Sequence, residues 1–104
     1  MAASLVFRSR YVYPDGAVRK MVLWMLPKKL PKSSHRFKYR LYYGRADGTC
    51  MVRYDNESSK GDHCHRGDSE EPYHFRDVET LVADFLDDIA NARRGAEDEK
   101  EHSR

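Results

Sequence analysis

An alternating stretch between Arg36 and Gly44 constrains the fold of this chain more than any other feature. Apolar and aromatic side chains occupy every second position: Phe37, Tyr39, Leu41 and Tyr43. The positions between them carry Lys38, Arg40 and Tyr42. Because side chains point alternately to the two faces of a β-strand, this period of two predicts a strand with one apolar face and one basic face.

Two turn signals organise the first half of the chain around that strand. They are Pro14-Asp15-Gly16 and Ala46-Asp47-Gly48, in which each glycine can take the positive φ of a tight turn. The strands are expected over 5–13, 17–26, 36–44 and 49–56. Proline cannot donate to a strand ladder, so Pro27 and Pro31 indicate a pause in the sheet between the second and third strands. The pattern predicts two β-hairpins.

A helix is predicted near the carboxyl end. Asp77 is a suitable N-cap, and hydrophobic residues follow at the spacing of one helical face. These residues are Val78, Leu81, Val82, Phe85 and Ile89. The helix is expected over about 77–93, with Gly95 as its stop.

The combined elements predict an α+β fold. We expect a four-stranded antiparallel sheet of two β-hairpins, with the C-terminal helix packed on one face. Residues 1–94 would form a single domain with a polar loop over about 55–72, and residues 95–104 a charged, flexible tail. The expected core comprises Trp24, Phe37, Tyr39, Leu41, Cys50, Val52, Phe85 and Ile89.

Composition narrows the class of protein. The chain has 104 residues, is 39% hydrophobic and has no apolar run long enough to span a membrane. With only two cysteines and no zinc-type spacing, a reduced, cytoplasmic setting is expected. Charge is uneven: residues 1–54 hold twelve Lys or Arg and two acids, whereas residues 55–104 hold seven and fifteen. The two halves either pair with each other or expose a basic surface to an anionic partner.

The predicted basic face suits a nucleic acid, although it also suits plain solvent. A sheet surface that mixes cations with an aromatic ring can hold a sugar-phosphate backbone and a stacked base. The candidate nucleic-acid-binding residues are Lys38, Arg40, Tyr42, Arg53 and Arg66.

The segment from Tyr54 to Phe75 concentrates titratable groups and almost no aliphatic side chains. Within it His63 and His65 stand at i and i+2, which places them on one side of an extended chain. The two imidazoles could exchange a proton as an acid–base pair. They could bind a metal ion with acids such as Glu57, or they could hold the segment to the body of the protein.

The acid–base alternative fits RNA cleavage, which needs a base, an acid and cations but no cofactor. Its candidate catalytic residues are His63, His65, Lys60, Asp62 and Asp55, with one of the two aspartates orienting an imidazole. The alternatives stay open: a non-catalytic module that binds nucleic acid or protein, and a metal-dependent nuclease with His63, His65 and Glu57 as ligands.

Four ordered blocks of the sequence resemble the TumE family of small prokaryotic toxin-like proteins. They are PDG with MVLWMLP, HRFKYRLYYG, YDNE with KGDHCH, and EEPYHF with the start of the helix, and they extend from about Tyr11 to Ile89. The family's polar block falls on Tyr54, Asp55, Asn56, Glu57, Lys60, Gly61, Asp62, His63 and His65. The sequence departs from that block at Ser58-Ser59, where a basic residue or histidine and a glycine are expected, and at Cys64, where a basic residue is common.

The resemblance implies the toxin half of a type II toxin–antitoxin pair. Its partner would be a small helix-turn-helix antitoxin, and its target would be RNA. By analogy with other compact toxins of one sheet and one helix, such as RelE, it implies a metal-independent endoribonuclease. An antitoxin would then cover the basic face or lock the polar loop.

Overall fold

The computed structural model describes residues 3–31, 33–57 and 61–102. These residues form a six-stranded antiparallel sheet, with strand order β1 to β6, and one helix. The elements are β1 (Ser4–Val12), β2 (Val18–Met25), β3 (Phe37–Gly44), β4 (Cys50–Asp55), β5 (His63–Arg66), β6 (Ser69–Pro72) and α1 (Val78–His102). Each strand pairs with its neighbours in sequence, so the sheet is a simple meander.

The α+β class and the two predicted hairpins are confirmed, but the expectation of four strands is wrong. Much of the segment predicted as a polar loop over 55–72 forms a third hairpin, β5–β6, that extends the sheet beyond β4. Its turn is the dipeptide Gly67-Asp68, with Gly67 at φ 60°. This two-residue loop is a recognised hairpin signal, and the pairing satisfies the backbone groups that β4 would otherwise leave open.

The core lies between the sheet and α1. Leu81, Phe85 and Ile89 of the helix are buried against the same face of the sheet as Tyr39 and Leu41. The alternation in β3 and the stripe on the helix therefore meet as predicted. Burying side chains of this size contributes roughly 1.5–3 kcal/mol each and holds the helix on the sheet.

Two residues expected in the core lie elsewhere. Trp24 pairs with Lys38 across β2 and β3, so it is on the face away from the helix, where the Arg8 guanidinium lies 5.8 Å from its ring centroid. The register of β3 and β4 shifts between Tyr43 and Gly44, which leaves one extra residue on β4. Such a bulge reverses the local alternation. Cys50 is consequently only half-buried and Met51 packs against the core.

The helix begins as predicted and ends later. Asp77 Oδ1 accepts the N–H of Thr80 at 2.7 Å, which confirms the N-cap. The helix continues through Gly95 to His102, so the predicted stop at Gly95 is wrong. A glycine inside a helix costs only about 1 kcal/mol, and the following sequence AEDEK is rich in helix-forming residues.

Candidate functional site on the open face of the sheet

One face of the sheet is covered by α1, and we call the other the open face. Directly paired residues share a face, so the register defines two rows of side chains across it. The first row is Arg10, Lys20, Tyr42, Arg53, His65 and Glu70. The second row is Arg8, Val22, Arg40, Asp55, His63 and Pro72. The two histidines therefore lie on the same face as the predicted basic residues of β3 and β4.

His63 is held at both ring nitrogens. Its Nε2 lies 3.0 Å from Asp55 Oδ1, and its Nδ1 lies 2.9 Å from the carbonyl oxygen of Gly61. Its side chain is only 10% exposed. Since a carboxylate and a carbonyl both accept, a ring with a proton on each nitrogen satisfies both contacts, and a neutral ring satisfies one. Both partners of the His63 ring are therefore acceptors.

His65 has the opposite kind of surroundings. Arg53 Nη2 donates to His65 Nδ1 at 2.8 Å, and His65 Nε2 lies 3.1 Å from Glu70 Oε2. A guanidinium can only donate, so Nδ1 must accept and the neutral ring carries its proton on Nε2. Arg53 also lies near Asp55, with Nε 3.1 Å from Oδ2, as an ion pair without hydrogen-bond geometry. Arg53 thus connects the two imidazole sites.

Asp62 belongs to a separate cluster, on the face of the sheet that the helix covers. Its Oδ2 accepts the Tyr39 hydroxyl at 2.6 Å and lies 2.8 Å from His35 Nε2. His35 stacks on Phe75, with ring centroids 3.8 Å apart. Burial and the neighbouring Asp62 carboxylate raise the pKa of Tyr39. Of the two candidate aspartates, Asp55 contacts a candidate imidazole and Asp62 does not contact either.

Two further residues of the polar stretch join parts of the fold. Asn56 is buried, accepts the N–H of Tyr39 at 3.0 Å and donates to the carbonyl of Phe37 at 2.7 Å. Its amide continues the ladder where β4 has ended. Arg66, a predicted nucleic-acid ligand, lies on the helix side instead, with Nε 2.7 Å from Asp88 Oδ2. This hydrogen bond raises the pKa of Arg66 and ties β5 to α1.

The other predicted cations are on the open face. Lys38, Arg40 and Arg53 come from neighbouring strands with Tyr42 among them. Lys38 Nζ lies 3.8 Å from Glu57 Oε2, an exposed pair of little energetic weight. Lys60 is outside the described residues. Lys20 also belongs to this surface and was not among the predicted residues, although a register drawn through the first turn would have placed it opposite Arg10.

The alternative metal site has no support in the arrangement of the ligands. Within the ranges that the structure describes, no group of three or more His, Cys, Asp or Glu side chains could hold a metal ion. Glu57 turns to Lys38, and the carboxylates beside the two histidines are Asp55 and Glu70. Both cysteines are free thiols.

The chain is thus a small α+β protein with one antiparallel sheet, whose open face carries basic side chains and two histidines. The family model for Toxin TumE matches residues 2–93, and the chain belongs to that family. It is therefore the toxin component of a toxin–antitoxin system and has an antitoxin partner. Searches of curated proteins and of solved structures found no match. The one described helix is too polar to cross a bilayer.

Proposed function

We propose that this toxin is a cytoplasmic endoribonuclease that binds RNA on the open face and cleaves it without a metal ion. The observation that carries the proposal is the row in which Arg10, Lys20, Tyr42, Arg53 and His65 follow one another across five strands. It brings phosphate-binding cations, an aromatic ring and an imidazole onto one surface.

Binding is supported by the distribution of charge. Strands β1, β2 and β3 contain no acid, and their open face carries five Lys or Arg side chains. The acids near the open face already have partners. Asp55 contacts Arg53 and His63, Glu70 contacts His65, and Glu57 lies near Lys38. The other four cations of β1, β2 and β3 make no ion pair with a residue that the structure describes, so a polyanion would meet them without a competing carboxylate.

Cleavage is supported by the different surroundings of the two imidazoles. When Arg53 turns from His65 Nδ1 to a bound phosphate, that nitrogen becomes free to take the proton of the 2′-hydroxyl. Glu70 holds the opposite nitrogen, as a carboxylate orients the base in other acid–base sites. The 2′-oxygen attacks phosphorus and the bond to the 5′-oxygen breaks. His63 donates a proton to that leaving oxygen, and Arg53 stabilises the charge on phosphate.

The proposed acid and base have suitable spacing. His63 and His65 are two residues apart on β5, so their Cα atoms are separated by about 6.6 Å. That separation lets imidazoles approach a phosphate from two sides. Asp55 would position His63, and its own contact with Arg53 couples the acid to the phosphate-binding group.

A second candidate, RNA binding without cleavage, is favoured by one observation. All four ring nitrogens of His63 and His65 contact protein groups, as they would in a purely structural network. In this alternative the toxin would act by binding its target RNA without cleaving it.

The discriminating experiment is cleavage of end-labelled RNA by the purified chain in the presence of a chelator. We expect wild type to cleave, and His65→Ala and His63→Ala to lose at least about 100-fold, the usual scale for one acid or base. His74→Ala is the matched control, since His74 is exposed and lies outside the sheet. Thermal unfolding of each variant separates lost chemistry from lost structure.

Three results would count against the proposal. RNA that stays intact but bound would favour the second candidate. Activity that disappears with chelator and returns with a divalent ion would favour a metal-dependent nuclease. Equal rates for wild type and His65→Ala would remove His65 from the reaction.

We also propose that the antitoxin is a helix-turn-helix protein that covers the open face. The support is the charge of that face, which an acidic segment of the partner would complement. Co-purified complex should fail to bind RNA that the free toxin binds. Retention of full RNA binding by the complex would place the antitoxin elsewhere.

A further inference from the structure

A cleft lies on the β1–β3 half of the open face, away from the histidines. Its volume is about 400 Å³, within the range of small-ligand sites. It is lined by Arg8, Ser9, Arg10, Lys20, Met21, Val22, Arg40 and Tyr42. The lining therefore combines four cations, two apolar residues and one aromatic ring.

The cations of this cleft are not engaged elsewhere. Arg10, Lys20 and Arg40 are exposed and make no ion pair or hydrogen bond with any residue that the structure describes. Among the residues that the structure describes, the one such partner of the Arg8 guanidinium is the Trp24 ring, whose centroid lies 5.8 Å away. Four like charges held close together repel one another, so an anionic ligand would relieve that repulsion.

The ring in the cleft is positioned by a glycine. Tyr42 and Gly44 are two residues apart on β3 and share the open face. A methyl group at Gly44 would overlap the hydroxyl and the ring of Tyr42. The side chain therefore leans along the sheet over Gly44, whereas strand side chains usually stand perpendicular to it. A glycine inside a strand often marks such a close approach.

We propose that this cleft is a subsite for single-stranded RNA, in which a base stacks on Tyr42 and the adjoining phosphates contact Arg10, Lys20 and Arg40. The inference rests on the proposed function and adds where the strand outside the cleaved bond is held. A ring lying along a sheet can accept only a base that is free of its duplex stack. The platform therefore selects single-stranded over double-stranded RNA.

The strand register gives the path that a bound RNA would take across the sheet. Tyr42 on β3 and His65 on β5 belong to the same row, and they are two strand spacings apart, about 10 Å. Arg53 lies between them on β4. An RNA running across the strands would meet the cleft first, then Arg53, then His65. The cleft is thus close enough to fix the register of the cleaved phosphate.

The test is binding of a short fluorescent 2′-O-methyl oligoribonucleotide, measured by anisotropy. Because this probe lacks the attacking hydroxyl, the result does not depend on cleavage. Stacking on an aromatic ring contributes roughly 1–3 kcal/mol, so Tyr42→Ala should weaken binding about 5- to 150-fold. Tyr11→Ala is the matched control, since Tyr11 is an exposed aromatic residue on the helix side of β1.

Two further variants separate stacking from charge and from general damage. Gly44→Ala should weaken binding in wild type and have little effect when Tyr42 is already alanine, because it acts by displacing that ring. Arg40→Gln should lower the slope of log affinity against log salt by about 0.7, the value for one phosphate on a single strand. Tyr42→Ala should leave that slope unchanged.

The outcomes distinguish this inference from the proposed function. Binding by wild type that Tyr42→Ala and Gly44→Ala do not alter would overturn the subsite and leave RNA binding intact. Tighter binding of the same sequence as a duplex would overturn the single-strand selection. If the chain binds its antitoxin but no oligonucleotide, both the subsite and the proposed RNA binding would be wrong. The cleft would then be part of a protein interface.

Discussion

Arg53 and His65 face each other on paired positions of β4 and β5, and Arg53 Nη2 donates to His65 Nδ1 at 2.8 Å. With Glu70 at the other nitrogen, this contact fixes which tautomer the neutral ring takes. It also places the guanidinium that we propose as a phosphate ligand on the nitrogen that we propose as the base. Under the proposed mechanism, Arg53 would occupy this nitrogen in the free protein and would leave it when a phosphate binds.

The tautomer of His65 is a direct prediction of that geometry. We expect long-range imidazole proton–nitrogen correlation spectra of the neutral ring to show the proton on Nε2. In Arg53→Gln the preference should weaken, because an amide at this position can donate less strongly. A neutral His65 with its proton on Nδ1 in wild type would contradict the contact with Arg53.

The two aspartates of the polar stretch should separate function from stability. Asp55→Asn should reduce RNA cleavage because Asp55 contacts both Arg53 and His63. Asp62→Ala should destabilise the fold by roughly 1–3 kcal/mol, since it leaves the Tyr39 hydroxyl and the His35 ring without their acceptor. Urea unfolding and cleavage rates measured on both variants check this. A stable but inactive Asp62→Ala would reverse the assignment.

Asn56 should be one of the most sensitive polar positions in the sheet. Asn56→Ala leaves the Tyr39 N–H and the Phe37 carbonyl without partners in a buried place. The expected loss is roughly 2–4 kcal/mol of unfolding free energy, measured as a lower urea midpoint. Asn91→Ala, at an exposed helix position, is the control and should change the midpoint little.

The two free thiols should differ in reactivity. Burial raises the pKa of both, but Cys64 is only 2% exposed whereas Cys50 is half-buried. Alkylation at neutral pH should be slow, should accelerate above the ordinary range of a thiol, and should modify Cys50 first. Peptide mapping of partly alkylated native protein checks the order. Early modification of Cys64 would mean that β5 opens easily.

The helix cap gives a prediction for acid pH. The N–H of Thr80, donated to the Asp77 carboxylate, lowers the pKa of that group. A carboxyl whose folded pKa is depressed stabilises the fold above its unfolded pKa, near 3.9, and this contribution is lost as the pH falls through the folded value. The free energy of unfolding should therefore fall more steeply in acid for wild type than for Asp77→Asn, because asparagine caps the helix without ionising. Parallel acid dependence of the two proteins would show that the charge of Asp77 does not contribute to stability.

The hairpins of the first half and the start of the helix followed from local signals in the sequence. The alternation through Leu41 and the turns at Gly16 and Gly48 specify strands, and Asp77 followed by the stripe to Ile89 specifies a helix. Each of these patterns is contained in one short stretch of sequence, so it predicts the element without knowledge of what that element contacts.

The third hairpin, the bulge and the site geometry were decided by the tertiary structure. Strand β6 is exposed throughout, so no buried alternation marks it, and its pairing depends on the edge that β5 offers once β5 has paired with β4. The sequence alone placed His63 and His65 on one side. Only the sheet could bring Asp55 and Arg53 to them and direct Asp62 to His35, because these contacts depend on strand register and on the two faces of one sheet.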